Sequence, residues 1–200
     1  MPPTLLLVRH GQIQANRTGR WHGAIDSRLT SLGEAQAKRV ARQLLTRFSE
    51  VDAIYSSPLQ RCLATARPIA AAFSHTPVVD DDLREYSIGE LEGTPFSTLH
   101  SEFAFFERIH DLDYKPGGGE SLRGVETRIV AALRRIAADH SLAKRVVVVG
   151  HGAALAVALG SLLDGDPKRW TNYAFSNGSI TELTLAPTPH VPSFNRTDHL

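Results

Sequence analysis

Two histidines draw attention because each follows an apolar run and adjoins a glycine. Leu5-Leu6-Leu7-Val8 runs into Arg9-His10-Gly11, and Val146-Val147-Val148-Val149 runs into Gly150-His151-Gly152. An imidazole serves as nucleophile or proton carrier near neutral pH. The forked N–H groups of an arginine match the geometry of a phosphate or carboxylate. Glycine lets the backbone come close to a ligand. A solvated Arg-His loop competes as a reading of the first run alone, and the downstream repeat of the pattern shifts the balance against it.

Positioning such groups takes strands. Neither run alternates with polar residues, so each fits a strand buried on both faces. A buried strand has no place for charge in its interior, but open α/β sheets receive ligands at the carboxyl ends of their strands. Two such strands bring both imidazoles to one place. Between them lie further strands at 51–56 and 78–79. A helix opens on a Ser31/Glu34 capping box, with Leu32, Gln36, Val40, Leu44 and Phe48 at helical spacing. A second follows Ser57-Pro58, read as N-cap and first helical residue, with Arg61 in its first turn and Pro68 inside it. Strand-then-helix units in succession predict an α/β protein, a three-layer α/β/α sandwich on a mostly parallel sheet.

Downstream, 11–27 and 83–93 read as irregular, and 116–119 as a flexible glycine loop. Phe96 to Ile109 reads as one helix with Phe96, Leu99, Phe103 and Phe106 on one side. Leu122, Val125, Ile129, Leu133 and Ile136 mark another helical face, and 153–163 a buried helix. Residues 180–185 alternate like an edge strand. The tail 186–200, with Pro187, Pro189 and Pro192, reads as partly mobile. No repeat or linker divides the chain, so residues 1–200 are expected to form one domain.

The motifs, taken in order, resemble the histidine phosphatase superfamily, the fold shared by cofactor-dependent phosphoglycerate mutases and many small phosphatases. They are Arg9-His10-Gly11 with Asn16, Leu29-Thr30 with Gly33 and Gln36-Ala37, and Ser56-Ser57-Pro58-Leu59-Gln60-Arg61. Leu83-Arg84-Glu85, Gly89-Glu90-Leu91-Glu92-Gly93 and Gly118-Gly119-Glu120-Ser121 follow, then Gly150-His151-Gly152 and Asn177-Gly178-Ser179. Gln12, Arg28 and His22 depart from the usual glutamate, proline and glutamine, which bears on substrate choice. Within the superfamily the chain resembles broad-specificity and α-ribazole phosphatases.

The resemblance implies phosphoryl transfer from a phosphomonoester to His10 and then to water. The attacking nitrogen must be unprotonated, so the other should donate to a fixed acceptor such as a backbone carbonyl. Arg9, Arg61 and His151 would bind the phosphoryl oxygens, with Asn16, the Gly23 amide and Gly152 completing the cradle. The acidic candidates are Glu85, Glu90 and Glu92. Their types and spacing do not separate them, and the Leu-Arg-Glu motif selects Glu85. Beside a phosphate the charged form of a carboxyl is disfavoured, which suits a proton donor.

Composition excludes other classes. The 200 residues are 42% hydrophobic and 22% charged, with a net charge of +1, which gives no nucleic-acid or membrane footprint. The nine histidines show no metal-ligand spacing, and no Gly-rich nucleotide motif is present, so neither metal nor cofactor is expected. Cys62, the single cysteine, suits a reducing compartment. The amino terminus lacks the character of a signal peptide, and a cytoplasmic enzyme acting on a small phosphorylated metabolite is expected. Oligomeric state is left open. The alternatives are a phosphoglycerate mutase and a silent phosphate-binding or interaction module. Retention of Arg9, His10, Arg61, Glu85 and His151 together speaks against the silent module. A short, weakly basic 86–120 segment speaks against the mutase.

Overall fold

The structure, a computed structural model, describes residues 3–200; Met1 and Pro2, part of the amino-terminal reading, lie outside it. Among the described residues the strands β1 (Thr4–Arg9), β2 (Ala53–Ser56), β3 (Val78–Val79), β4 (Arg145–Gly150), β5 (Ile180–Thr184) and β6 (His190–Arg196) form one sheet. Its order is β3-β2-β4-β1-β5-β6. The pairs β1–β4, β2–β4 and β2–β3 are parallel, and β5 joins β1 antiparallel.

Both faces of β1 and β4 are covered, which is why their sequences do not alternate. Leu6, Val8, Val147 and Val149 pack under α2 (Ser31–Arg47) and α3 (Gln60–Ala72). Leu5, Leu7, Val146 and Val148 pack under α6 (Leu122–Asp139) and α7 (Gly152–Asp164). The result is the expected α/β/α sandwich. In register, Arg9 pairs with Gly150, so β1 and β4 end side by side and release His10 and His151 together.

Several local expectations are corrected. The loop 11–27 contains a short helix, Gln14–Arg17. Helix α2 is capped by Thr30, whose Oγ1 accepts from Gly33 N at 3.1 Å, so the cap falls one residue before Ser31. Its buried face is Gly33, Ala37, Val40, Ala41 and Leu44, and Leu32 is exposed. Helix α3 starts at Gln60 rather than Pro58; the Ser57 Oγ accepts from Leu59 N at 3.3 Å, ahead of the helix, and from His151 Nε2 at 2.7 Å. The 96–109 segment splits into Phe96–Ser101 and Phe105–Arg108 at Ala104, whose φ is +46°. That left-handed residue breaks the helical register, so Leu99 and Phe105 enter the core while Phe96 and Phe103 stay exposed. The 116–119 loop is pinned against 89–90, with Glu90 N donating to the Gly117 carbonyl at 2.9 Å.

The carboxyl terminus differs most from expectation. Strand β5 is not an edge, because the tail returns as β6 and pairs with it. Phe194 of β6 stacks edge-on to Phe175 at 5.4 Å and Tyr173 at 5.9 Å.

Candidate active site

The carboxyl ends of β1 and β4 open into a cavity of about 350 Å³. His10 and Arg9 from β1, Arg61 from the first turn of α3, and Glu85 line it with Asn16, Gly23 and Gly152. Sequence reasoning named all of these.

His10 is buried, and its Nδ1 lies 2.7 Å from the Gly11 carbonyl oxygen. That oxygen can only accept, so Nδ1 carries the proton and Nε2 keeps its lone pair. Burial, then the charges of Arg9 and Arg61, holds the His10 pKa well below its ordinary value, so the ring is neutral. Gly11 must be glycine, since a Cβ there would sit 2.3 Å from the Gly33 carbonyl oxygen. Asn177 Nδ2 donates to the His10 carbonyl at 3.1 Å and to Asn16 Oδ1 at 3.0 Å, tying the strand end to Asn16. The sequence flagged Asn177 only as part of a motif, without a role.

Arg9 donates from one guanidinium nitrogen to the Phe175 carbonyl, and its buried Nε has no partner. A Cβ on residue 152 would lie 3.2 Å from that guanidinium, so Gly152 gives it room. Arg61 is fully buried. Its Nη atoms donate to the carbonyls of Gly23 at 2.6 Å and Ile25 at 2.7 Å, and its Nε to His151 Nδ1 at 3.3 Å. One guanidinium thus grips the loop that supplies Gly23 and keeps two N–H groups for a ligand.

His151 is buried between the cavity and α3, its ring 5.3 Å from that of His10. Arg61 Nε can only donate, so His151 Nδ1 accepts and Nε2 donates to Ser57 Oγ at 2.7 Å. Burial, followed by the Arg61 charge, pushes its pKa well below the ordinary value. His151 is therefore held as the Nε2–H tautomer, bracing Arg61 beside His10. Cys62 lies 3.3 Å from His151 Nε2, and burial pushes its thiol pKa up, so it is no nucleophile.

The three glutamates separate clearly. Glu85 lines the cavity, and its carboxylate accepts from the N–H groups of Tyr86 (2.9 Å), Ala154 (2.8 Å) and Ala153 (3.2 Å), the last two at the start of α7. Glu92 faces away and latches the N–H groups of Ala24 and Ile25, both at 2.9 Å. Glu90 is exposed and lies against Gly117.

Of the phenylalanines at 96, 103 and 106, which the sequence puts on one side of a helix, Phe96 lines the cavity and Phe103 and Phe106 do not. Trp21, Trp170, Tyr173 and Phe175 supply its other aromatic side chains. Trp21 is central, with its ring 5.8 Å from Phe96 and 6.1 Å from Trp170, and Nε1 donating to the Tyr86 carbonyl at 3.1 Å. Nothing local in the sequence marked residues 170–175, which follow α7 and fold back over its amino end. Arg20 and His22 complete the rim. Among the described residues, no cluster of three or more His, Cys, Asp or Glu side chains is placed to hold a metal ion.

In this α/β arrangement a strand-end histidine and two arginines line one cavity. Residues 5–194 match the histidine phosphatase superfamily (branch 1), and the chain belongs to that family. It is 33% identical over 184 residues to a putative phosphoserine phosphatase 2 of Hydrogenobacter thermophilus, covering 90% of this chain and 89% of that one. It is 35% identical to a probable phosphoglycerate mutase of Proteus mirabilis, covering 92% and 85%. A crystal structure of Entamoeba histolytica phosphoserine phosphatase in complex with 3-phosphoglyceric acid superposes with a TM-score of 0.87 at 29% identity, covering 99% of both chains.

Proposed function

We propose that the chain hydrolyses small phosphomonoesters without a metal, passing the phosphoryl group through His10 to water. The observation that carries this reading is the neutral His10 ring, its Nδ1 fixed on Gly11, lining a cavity with Arg9 and Arg61. Nε2 attacks phosphorus while the ester P–O bond breaks, and Glu85 gives its proton to the departing alkoxide. Water then attacks phosphorus, Glu85 takes a proton back, and the P–N bond breaks to release phosphate. The guanidinium groups of Arg9 and Arg61 meet the charge spread over the equatorial oxygens. That role needs positive charge but no Lewis acid.

Water as the acceptor is favoured over a second substrate hydroxyl by the cations around the cavity. A mutase must hold a doubly phosphorylated intermediate. Beyond Arg9 and Arg61, the one Lys or Arg side chain among the described residues that lines the cavity is Arg20. Arg84 is exposed and paired with Asp81 at 2.9 Å, and Lys168 lines a separate, smaller cavity. Arg20 Nη1 donates to the Gly93 carbonyl at 2.7 Å, which leaves its other N–H groups for a substrate carboxylate. Phosphoserine and 3-phosphoglycerate, named with the relatives, carry such a group beside the phosphate. Residues 1–200 are read as one domain, since both cores share one sheet. A cytoplasmic location suits the single, free, buried cysteine. No helix among the described residues is long and apolar enough to cross a membrane.

The test is a panel of phosphomonoesters, including p-nitrophenyl phosphate, phosphoserine and 3-phosphoglycerate, assayed for released phosphate before and after EDTA. Undiminished hydrolysis after chelation is expected. Conversion of 3-phosphoglycerate to 2-phosphoglycerate in the presence of catalytic 2,3-bisphosphoglycerate, with little free phosphate, would overturn the phosphatase reading in favour of a mutase.

A further inference from the structure

The segment 82–87 delivers Glu85 to the cavity without belonging to any strand or long helix. Its backbone groups must therefore find partners elsewhere. Three of its carbonyls share one side chain. Arg128, on the second turn of α6, donates through Nη1 to the carbonyls of Asp82 at 2.9 Å and Arg84 at 2.7 Å. Through Nη2 it donates to the carbonyl of Glu85 at 3.0 Å. Its remaining donors close a two-pronged pair with Glu120, Nε to Oε1 at 2.7 Å and Nη2 to Oε2 at 2.9 Å. All five guanidinium N–H groups are thereby used, so Arg128 has nothing left for a ligand.

Glu120 completes the bracket. Its Oε2 accepts from Ser87 N at 3.1 Å, and its own N–H donates to the Ser87 carbonyl at 2.9 Å. Burial works against the charge on Glu120, but the Arg128 hydrogen bonds and charge outweigh it and hold the carboxyl below its ordinary range. Tyr86, between the two anchors, gives its carbonyl to Trp21 of the cavity wall. Arg128 and Glu120 do not line the cavity.

We infer that Arg128, braced by Glu120, is the positioning residue for the proton-transferring Glu85. It acts on the reaction only by fixing the backbone that carries that carboxyl. Three carbonyls within four residues, held by one planar fork, define both the height and the direction of the Glu85 side chain. The amides of Ala153 and Ala154 then fix its far end. A lysine at 128 offers a point charge and no fork, so it can keep the Glu120 attraction but not the three-carbonyl geometry. This inference rests on Glu85 being the acid.

The test is a double-mutant cycle with Arg128→Gln and Glu85→Gln, read on an alkyl phosphate and on p-nitrophenyl phosphate. Misplacing a catalytic group by about 1 Å costs on the order of 10²-fold. Arg128→Gln should lose about that factor in kcat on the alkyl phosphate and far less on p-nitrophenyl phosphate, with KM little changed. In the Glu85→Gln background the same substitution should have almost no further effect. Arg128→Lys and Glu120→Gln, which perturb the bracket less, should show the same substrate preference in weaker form, and they serve if Arg128→Gln does not fold. Equal losses on both substrates, or losses that multiply in the double variant, would reduce Arg128 to a structural residue. Failure of the acid assignment is distinct, since Glu85→Gln by itself would then show no leaving-group preference.

Discussion

The two sides of the cavity are built differently. On one side, His10 and Arg9 stand on the end of β1, locked to β4 by a parallel ladder and covered on both faces by helices. On the other, Glu85, Trp21 and residues 173–175 stand on irregular chain, and Phe96 and Trp170 on short helices. Side chains such as Arg61, Glu92, Arg128 and Trp21 bond to the backbone there, in place of a sheet. In the proposed mechanism the sheet ends hold groups that any phosphomonoester requires, and the irregular side holds groups that respond to the leaving group and to the rest of the substrate. Damage to the first should therefore abolish all activity, and damage to the second should depend on the substrate.

The largest effect is expected at the sheet end. His10→Ala should lower kcat by about 10⁶-fold on every phosphomonoester, as removal of a nucleophile does elsewhere. Mapping the label after a rapid acid-free quench should find phosphate on His10 in the parent and none in the variant. Label on serine, aspartate or Cys62 would break the comparison at its root.

On the irregular side, Glu85→Gln should slow alkyl phosphates by about 10² to 10⁴-fold. Hydrolysis of p-nitrophenyl phosphate, whose leaving group needs no proton, should change far less. Should Glu90→Gln or Glu92→Gln reproduce that split while Glu85→Gln does not, the geometric separation of the three carboxylates would be misleading.

Arg20→Gln should act more weakly and mainly through KM. Loss of one exposed charged hydrogen bond should raise KM for phosphoserine and 3-phosphoglycerate by roughly tenfold. KM for p-nitrophenyl phosphate should stay unchanged. An equal rise on all substrates would assign Arg20 to the phosphate rather than to the substrate body.

The smallest effect concerns pH and links the two sides through stability. His10 and His151 are held neutral in the fold, with pKa values well below those of the unfolded chain. Below pH about 6.5 the unfolded state takes up protons that the folded state refuses, so stability falls as pH drops from there toward the folded values. Each histidine contributes a slope of up to about 1.4 kcal/mol per pH unit. Urea unfolding from pH 7 to 5 should show the loss, and His151→Asn, which removes one titrating group, should flatten it.

The sequence was most legible where local chemistry and tertiary need coincide. The unbroken apolar runs of β1 and β4 declared strands buried on both faces, and the residues ending them lie at the cavity. The five apolar positions of α6 fell on the buried face because helical period alone sorts them. It was least legible where a distant partner decides. Ser57 reads as a helix cap, whereas its hydroxyl accepts from His151 and the helix starts at Gln60. Ala104 gives no sign that it will break a helix. The proline-bearing tail forms β6 because β5 offers it an open edge.

By itself the sequence placed Arg9, His10 and Arg61 at strand and helix ends, where residue type and period over a few positions suffice, and a motif resemblance pointed to Glu85. Only the tertiary structure decided the tautomer of His10, the contact of His151 with Arg61, the different surroundings of Glu85, Glu90 and Glu92, and the aromatic wall. The reason is physical. A strand or helix end follows from period and composition over a few residues. A hydrogen-bond partner follows from which remote atom arrives, and here Arg61 meets His151 across 90 positions of chain.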